Sequence, residues 1–181
     1  MAVQVDVRKL TPELIAQIFA FCAEIAEDFG FSVVSTEENV RTGGAIALLI
    51  SGQRQQSLVV GIVSEVDGLR FVANAINKNN AMEKHGVILS EKVADVSAIP
   101  PIYGGGTEPT EGVYLSFSGF PPEWDQAFCL IVAERFGLIT PQRTNSIIEA
   151  SKNPLQARLY LHEARFFLFS TILGEAFDIP S

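Results

Sequence analysis

At 181 residues, with 48% hydrophobic and 19% charged side chains, the chain has the length and apolar content to bury a substantial core and lies far from the composition of a disordered segment. Its net charge of −8 excludes the broad positive field that nucleic-acid backbones and anionic membranes require, and it attracts a basic partner instead. Cys22 and Cys129, the two cysteines, sit in apolar helical patterns and read as buried thiols of a reducing compartment; with no basic-then-apolar leader at the N-terminus, a cytoplasmic protein without a membrane segment is expected.

Val3, Val5 and Val7 alternate with Gln4, Asp6 and Arg8, the pattern of a short half-buried strand. Thr11, Pro12 and Glu13 then supply an N-cap, a first-turn proline and an acid at the positive helix end. Leu14, Ile15, Ile18, Phe19, Cys22, Ile25, Ala26 and Phe29 recur at helical spacing until Gly30 offers a stop. Phe31 to Val34 suits a brief strand. Ser35, Thr36, Glu37 and Glu38 match a capping box, which predicts a second helix toward Ile50, weakened by Gly43 and Gly44.

The organising element is expected at 57–76. Apolar runs flank Asp67-Gly68, the strongest short hairpin signal, and predict two antiparallel strands in which Glu65 faces Arg70 across a two-residue turn. Both faces of this hairpin are apolar, so helices or a partner should cover each. The polar stretches 52–56 and 77–80 become exposed connections. Residues 86–90 read as a short strand, and Val113, Leu115 and Phe117 alternate with Tyr114, Ser116 and Ser118 as another. Between them, 100–112 is the longest irregular segment. Three consecutive glycines, Gly104, Gly105 and Gly106, lie between stiffened approaches at Pro100-Pro101 and Pro109. They predict a mobile surface loop with Tyr103 at its hinge, where alanine at all three glycines leaves the melting temperature nearly unchanged.

From Pro121 onward the pattern is helical. Pro121, Pro122 and Glu123 open a helix that carries Trp124, Ala127, Phe128, Ile131 and Val132 on one stripe to Gly137, and the cap-then-proline pairs Thr140-Pro141 and Asn153-Pro154 predict helices over 141–152 and 154–177. On the last, Leu155, Leu159, His162, Phe166, Phe169 and Leu173 follow one face while Leu161, Leu168 and Ile172 fall elsewhere. That is more apolar surface than one contact covers, so a homodimer is expected. The reading is a single α+β domain over 1–181: an antiparallel sheet around the central hairpin, N-terminal helices and a C-terminal three-helix segment.

One internal likeness stands out. Ala20-Phe21-Cys22, Ala26-Glu27 and Phe29-Gly30 recur at constant offset as Ala127-Phe128-Cys129, Ala133-Glu134 and Phe136-Gly137. Pseudo-repeat halves over 1–52 and 111–152 account for this; so does chance convergence of two buried helices on the same caps and small residues.

Motifs with chemistry are few. His162-Glu163 begins a helical zinc signature, but Phe166 occupies the position of the second histidine. His85 has no nucleophile beside it in the pattern. The three glycines lack the lysine and hydroxyl residue of a phosphate cradle. No catalytic residue, metal ligand or cofactor is therefore assigned. Tyr103, Gly104, Gly105, Gly106, Glu108, Glu111 and Trp124 are the expected partner- or ligand-binding residues, and Glu13, Glu24, Glu27, Asp28, Glu37 and Glu38 an acidic docking surface. The leading expectation is a non-enzymatic protein-binding module, an adaptor, chaperone-like or immunity-type protein, acting through an acidic and partly apolar surface on a partner with a basic surface. The competing class is a small-ligand binder or enzyme with a pocket under 100–112, near Tyr103, Trp124 and one of the histidines.

Overall fold

Helix α1, Pro12–Phe29, begins where its sequence signals place it: Thr11 Oγ1 accepts from the Leu14 amide at 3.3 Å and Pro12 occupies the first turn. Its buried stripe of Ile15, Ile18, Cys22, Ile25, Ala26 and Phe29 faces the core. The computed structural model describes residues 10–53 and 55–177, with side chains as far as Ser170. The expected strand at Val3 to Val7, and with it the strand half of the repeat expectation, lies outside the described residues.

After α1 the chain departs from its local signals. Residues Gly30–Val34 form a π-helical turn. Ser35 closes it and caps no helix: its hydroxyl donates to the Gly30 carbonyl at 2.8 Å and accepts from the Arg41 amide at 2.7 Å. The expected second helix is instead strand β1, Gly43–Ile50, all eight residues of which are buried. The glycines that weakened the helix are what the strand needs. A Cβ at Gly43 would lie 2.4 Å from the Val60 carbonyl oxygen, and one at Gly44 2.2 Å from that of Ser118.

Strand β2, Gln56–Gly61, pairs antiparallel with β1, and the chain then enters helix α2, Glu65–His85. The 57–76 hairpin is thus corrected to an edge strand followed by a helix. Asp67-Gly68 is the first turn of that helix. Ser64 caps it, its hydroxyl accepting from the Asp67 amide at 3.1 Å and donating to the Asp67 carboxylate at 2.8 Å; Glu65 and Asp67 sit at the positive end, Lys84 and His85 at the negative one, and Gly86 terminates it at φ 61°. Lys78 and Asn79, expected in an exposed connection, are buried beneath it.

The two-residue hairpin of this chain is Glu111-Gly112, joining β3, Gly106–Thr110, to β4, Val113–Ser118, with Thr110 opposite Val113 and Gly112 at φ 74°. The order β2-β1-β4-β3 is antiparallel throughout, with Ile46 opposite Phe117 in the central pair. Residues 86–90 make only a bridge, Leu89 to Thr107, before a 3₁₀ turn at Ser90–Lys92.

Helix α2 covers one face of the sheet; α1 and α3, Pro122–Arg135, cover the other. Helix α5, Pro154–Phe177, packs on the outside of α3, and α4, Pro141–Ala150, sits between α5 and β3. The α+β class and the C-terminal three-helix segment are as expected. The core is lopsided. Under α1 and α3, Phe29 meets Phe120, Trp124, Phe128 and Phe167 with ring centroids 5.4 to 5.9 Å apart. Under α2 there is a small apolar cluster of Leu49, Met82 and Tyr114, beside buried polar contacts: Asn79 Nδ2 donates to the Ala47 carbonyl at 3.1 Å and Ser116 Oγ to that of Ala75 at 2.6 Å. Among the described residues no helix is long and apolar enough to cross a membrane.

Candidate functional site

Where β4 ends, Ser118, Gly119 and Phe120 turn into α3 and leave a cleft of about 200 Å³. Arg41 reaches it from the stretch before β1, where Ser35 holds its backbone, and its Nη1 donates to the Gly119 carbonyl at 3.1 Å. Helix α2 contributes Arg70, Phe71, Asn74 and Lys78, which its turn brings to one side, while Tyr103 and Pro122 close the opposite wall.

At the bottom lies a fully buried ion pair. Lys78 Nζ donates to Asp125 Oδ2 at 2.8 Å and also to the Phe117 carbonyl, and Asp125 Oδ1 accepts from the Phe120 amide at 2.9 Å. The pair ties α2, on one face of the sheet, to α3 on the other.

Burial pushes the Asp125 carboxyl up to about 7, against the pull of the Lys78 ammonium and the Phe120 amide. The unfolded carboxyl titrates at about 3.9, so between these limits the folded chain holds a proton that the unfolded chain releases. The stabilising contribution is whole below that window and is lost as pH rises through about 7. Relative to Asp125→Asn, the unfolding free energy of the unmodified chain is therefore expected to fall between roughly pH 4 and pH 7, by at most about 1.4 kcal/mol per pH unit. Urea denaturation at each pH measures it. A difference that stays flat over the same range would show the carboxylate to be ionised throughout.

The residues singled out in the sequence are partly brought together. Tyr103, 37% exposed, lines the cleft. Gly104, Gly105 and Gly106 are buried behind it, which corrects the expectation of a mobile surface loop. Gly105 has φ 94°, and a Cβ there would stand 2.4 Å from that of Asp125; at Gly106 it would stand 2.9 Å from Met82 Cε. Alanine at Gly105 strains the backbone and crowds α3, and at Gly106 it crowds Met82 of α2, so alanine at these glycines is expected to destabilise the chain. Glu108 lies in β3 and pairs with Arg143 at 2.7 Å, while Arg143 also bonds the Glu108 carbonyl and Glu108 Oε1 accepts from the Gly112 amide. Glu111 is exposed at the hairpin tip, and Trp124 is buried between Phe29 and Tyr160. None of these three joins Tyr103. His85 and His162 are both exposed and line neither this cleft nor the smaller one between α3 and α5. Burial pushes both thiols, Cys22 and Cys129, well up, away from nucleophilic use.

Among the described residues, two apolar surfaces are exposed. On α5, Leu161 and Ala164 face the core, while Leu155, Leu159, Phe166 and Phe169 are 80, 56, 67 and 61% exposed and His162 is exposed among them. At the sheet edge β2 exposes Leu58 and Val59 beside Ile62, Val66 and Leu69. The opposite edge is closed: the Glu108 amide donates to the Ile88 carbonyl and Arg143 covers the Glu108 carbonyl. All six acidic residues of the expected docking surface are exposed along α1 and the turn that follows it.

Comparison with protein-family models, with curated proteins and with solved structures finds no match for the chain. The functional reading rests on these surfaces and on the cleft.

Proposed function

We propose that this chain is a non-enzymatic protein-binding module, an adaptor, chaperone-like or immunity-type protein, that works as a homodimer built on α5. One observation carries it. Leu155, Leu159, His162, Phe166 and Phe169 are all exposed and follow one another at spacings of four, three, four and three, the 3.5-residue period that keeps one helix facing another like it. A helix lying only on its own core needs no such outer seam. That core contact uses the opposite side, through Leu161 and Ala164.

The charges beside the seam favour a second copy in parallel. Arg158 and Glu163 flank it on opposite sides, and in a parallel pair the arginine of each copy meets the glutamate of the other. Antiparallel helices would instead bring Arg158 toward Arg165. Within the chain Arg158 pairs with Glu149 and Arg165 with Glu134, so α5 is held to its own α4 and α3 while its outer face stays open.

In this reading the dimer displays the acidic outer face of α1 twice, a surface suited to a protein partner with basic side chains. Two unpaired buried cysteines fit a cytoplasmic setting. Sedimentation equilibrium tests the assembly: the expected mass is twice 19.7 kDa, and a single-chain mass at every concentration would remove the proposal.

A further inference from the structure

The cleft at the end of β4 carries an inference independent of the dimer. We propose that it binds a small organic anion, a carboxylate or phosphate monoester on an aromatic or compact apolar group, with Arg41 as the charge that recognises it.

The charges around the cleft do not cancel. Lys78 and Asp125 pair with each other, and both Asp125 oxygens are already engaged, by Lys78 and by the Phe120 amide. Arg70 pairs with Asp67 at the surface. Arg41 has no carboxylate partner among the described residues; its one side-chain bond is from Nη1 to the neutral Gly119 carbonyl. A half-buried guanidinium at the wall of a cleft thus keeps a full positive charge and spare donors, in a chain whose net charge is −8. A guanidinium is matched best by a carboxylate or phosphate, which accepts two of its hydrogens at once.

The rest of the wall fits what such an anion would carry. Phe71, Phe120, Tyr103 and Pro122 supply flat apolar surface, and Asn74 and Ser118 add polar atoms. The Arg70 guanidinium, paired through Nη2 with Asp67, stands 5.1 Å from the centroid of the Phe71 ring at the mouth of the cleft. The cleft, about 200 Å³, is smaller than the roughly 300 Å³ at which drug-sized pockets begin. It is larger than the roughly 150 Å³ that suffices for benzene. A single ring with one anionic group is of the right size.

Nuclear magnetic resonance titration of the full chain with benzoate, phenyl phosphate and inorganic phosphate, at constant ionic strength, tests this. The amides of Asn74 and Gly119, which both line the cleft, report on it. Benzoate or phenyl phosphate is expected to shift them saturably in the millimolar range, with inorganic phosphate at least tenfold weaker. Arg41→Gln is expected to weaken binding at least tenfold. Should that variant not fold, Arg70→Gln, on an exposed side chain, is expected to weaken it several-fold. No saturable shift with either aryl anion overturns the inference. So does an equal response to inorganic phosphate, or affinity unchanged in a folded Arg41→Gln or in Arg70→Gln. The spectrum also shows whether each variant is folded, so loss of the site and loss of the fold are separated.

Discussion

Phe166→Glu is expected to convert the dimer to a monomer while leaving the folded chain intact. Phe166 is 67% exposed, so within one chain the substitution removes almost no packing and belongs with surface changes of about 0.5 kcal/mol or less. Across the seam it acts twice. Each copy would lose an aromatic anchor and bury a carboxylate against another carboxylate, a cost of several kcal/mol, and each 1.4 kcal/mol is tenfold in affinity. A weakening of at least a hundredfold is expected by sedimentation, with the melting temperature of the dilute protein unchanged. Leu159→Glu, about two turns away on the same face, should do the same. His162→Leu should act in the opposite direction, since it replaces the polar member of the seam with an apolar one. If Phe166→Glu lowers the melting temperature of a protein that is already monomeric, the residue belongs to the core of one chain and the assembly is misassigned.

The second large effect is at the buried ion pair. At pH 8, above the Asp125 transition, Lys78→Met leaves the carboxylate buried with only the Phe120 amide, and Asp125→Leu leaves Lys78 with only the Phe117 carbonyl. Breaking one side of a buried pair costs about 3–5 kcal/mol. For a chain of this length that is roughly 6–20 °C in melting temperature. The double variant Lys78→Met with Asp125→Leu removes both charges and is expected to recover most of the loss, because an apolar pair of similar volume is often neutral or better. Losses that simply add would show that the two residues act separately.

The sequence reveals an element where its signal is local. Helices α1, α3, α4 and α5 were legible because each opens with a proline in its first turn, and three of them with a capping Thr or Asn before it. Strand β4 was legible because its two faces meet different layers: Val113, Leu115 and Phe117 enter the large apolar core, and Ser116 bonds the backbone of α2. Strand β1 was not legible. Buried on both faces, it shows an unbroken apolar run without the period of two, which a helix imitates. Helix α2 is masked by Asp67-Gly68, although the cap at Ser64 and the stop at Gly86 stand at its ends; its buried residues are Gly68, Ala75, Ala81 and Met82 with polar Lys78 and Asn79, so no stripe of large apolar side chains contradicts the hairpin.

The candidate sites divide the same way. The outer face of α5 could be listed residue by residue, because its spacing is a property of one helix. The cleft could not. Lys78 lies in a polar run and its partner is 47 residues away, while Arg41 gains meaning only where Gly119 and α2 surround it. The glycines at 104–106 suggested freedom, and the structure uses them for close approach to α3 and α2.

Cross-linking through a cysteine at position 162 tests the central proposal most directly. His162 stands mid-seam, and both native thiols are buried and unreactive. In a parallel pair, His162→Cys places the two new sulfurs face to face, within the reach that a disulfide needs. Under mild oxidation the account predicts a covalent species of twice 19.7 kDa formed in high yield, reversed by reductant and abolished by adding Phe166→Glu. A chain that stays at its single mass, with the new thiol fully reactive toward a small reagent, would contradict it.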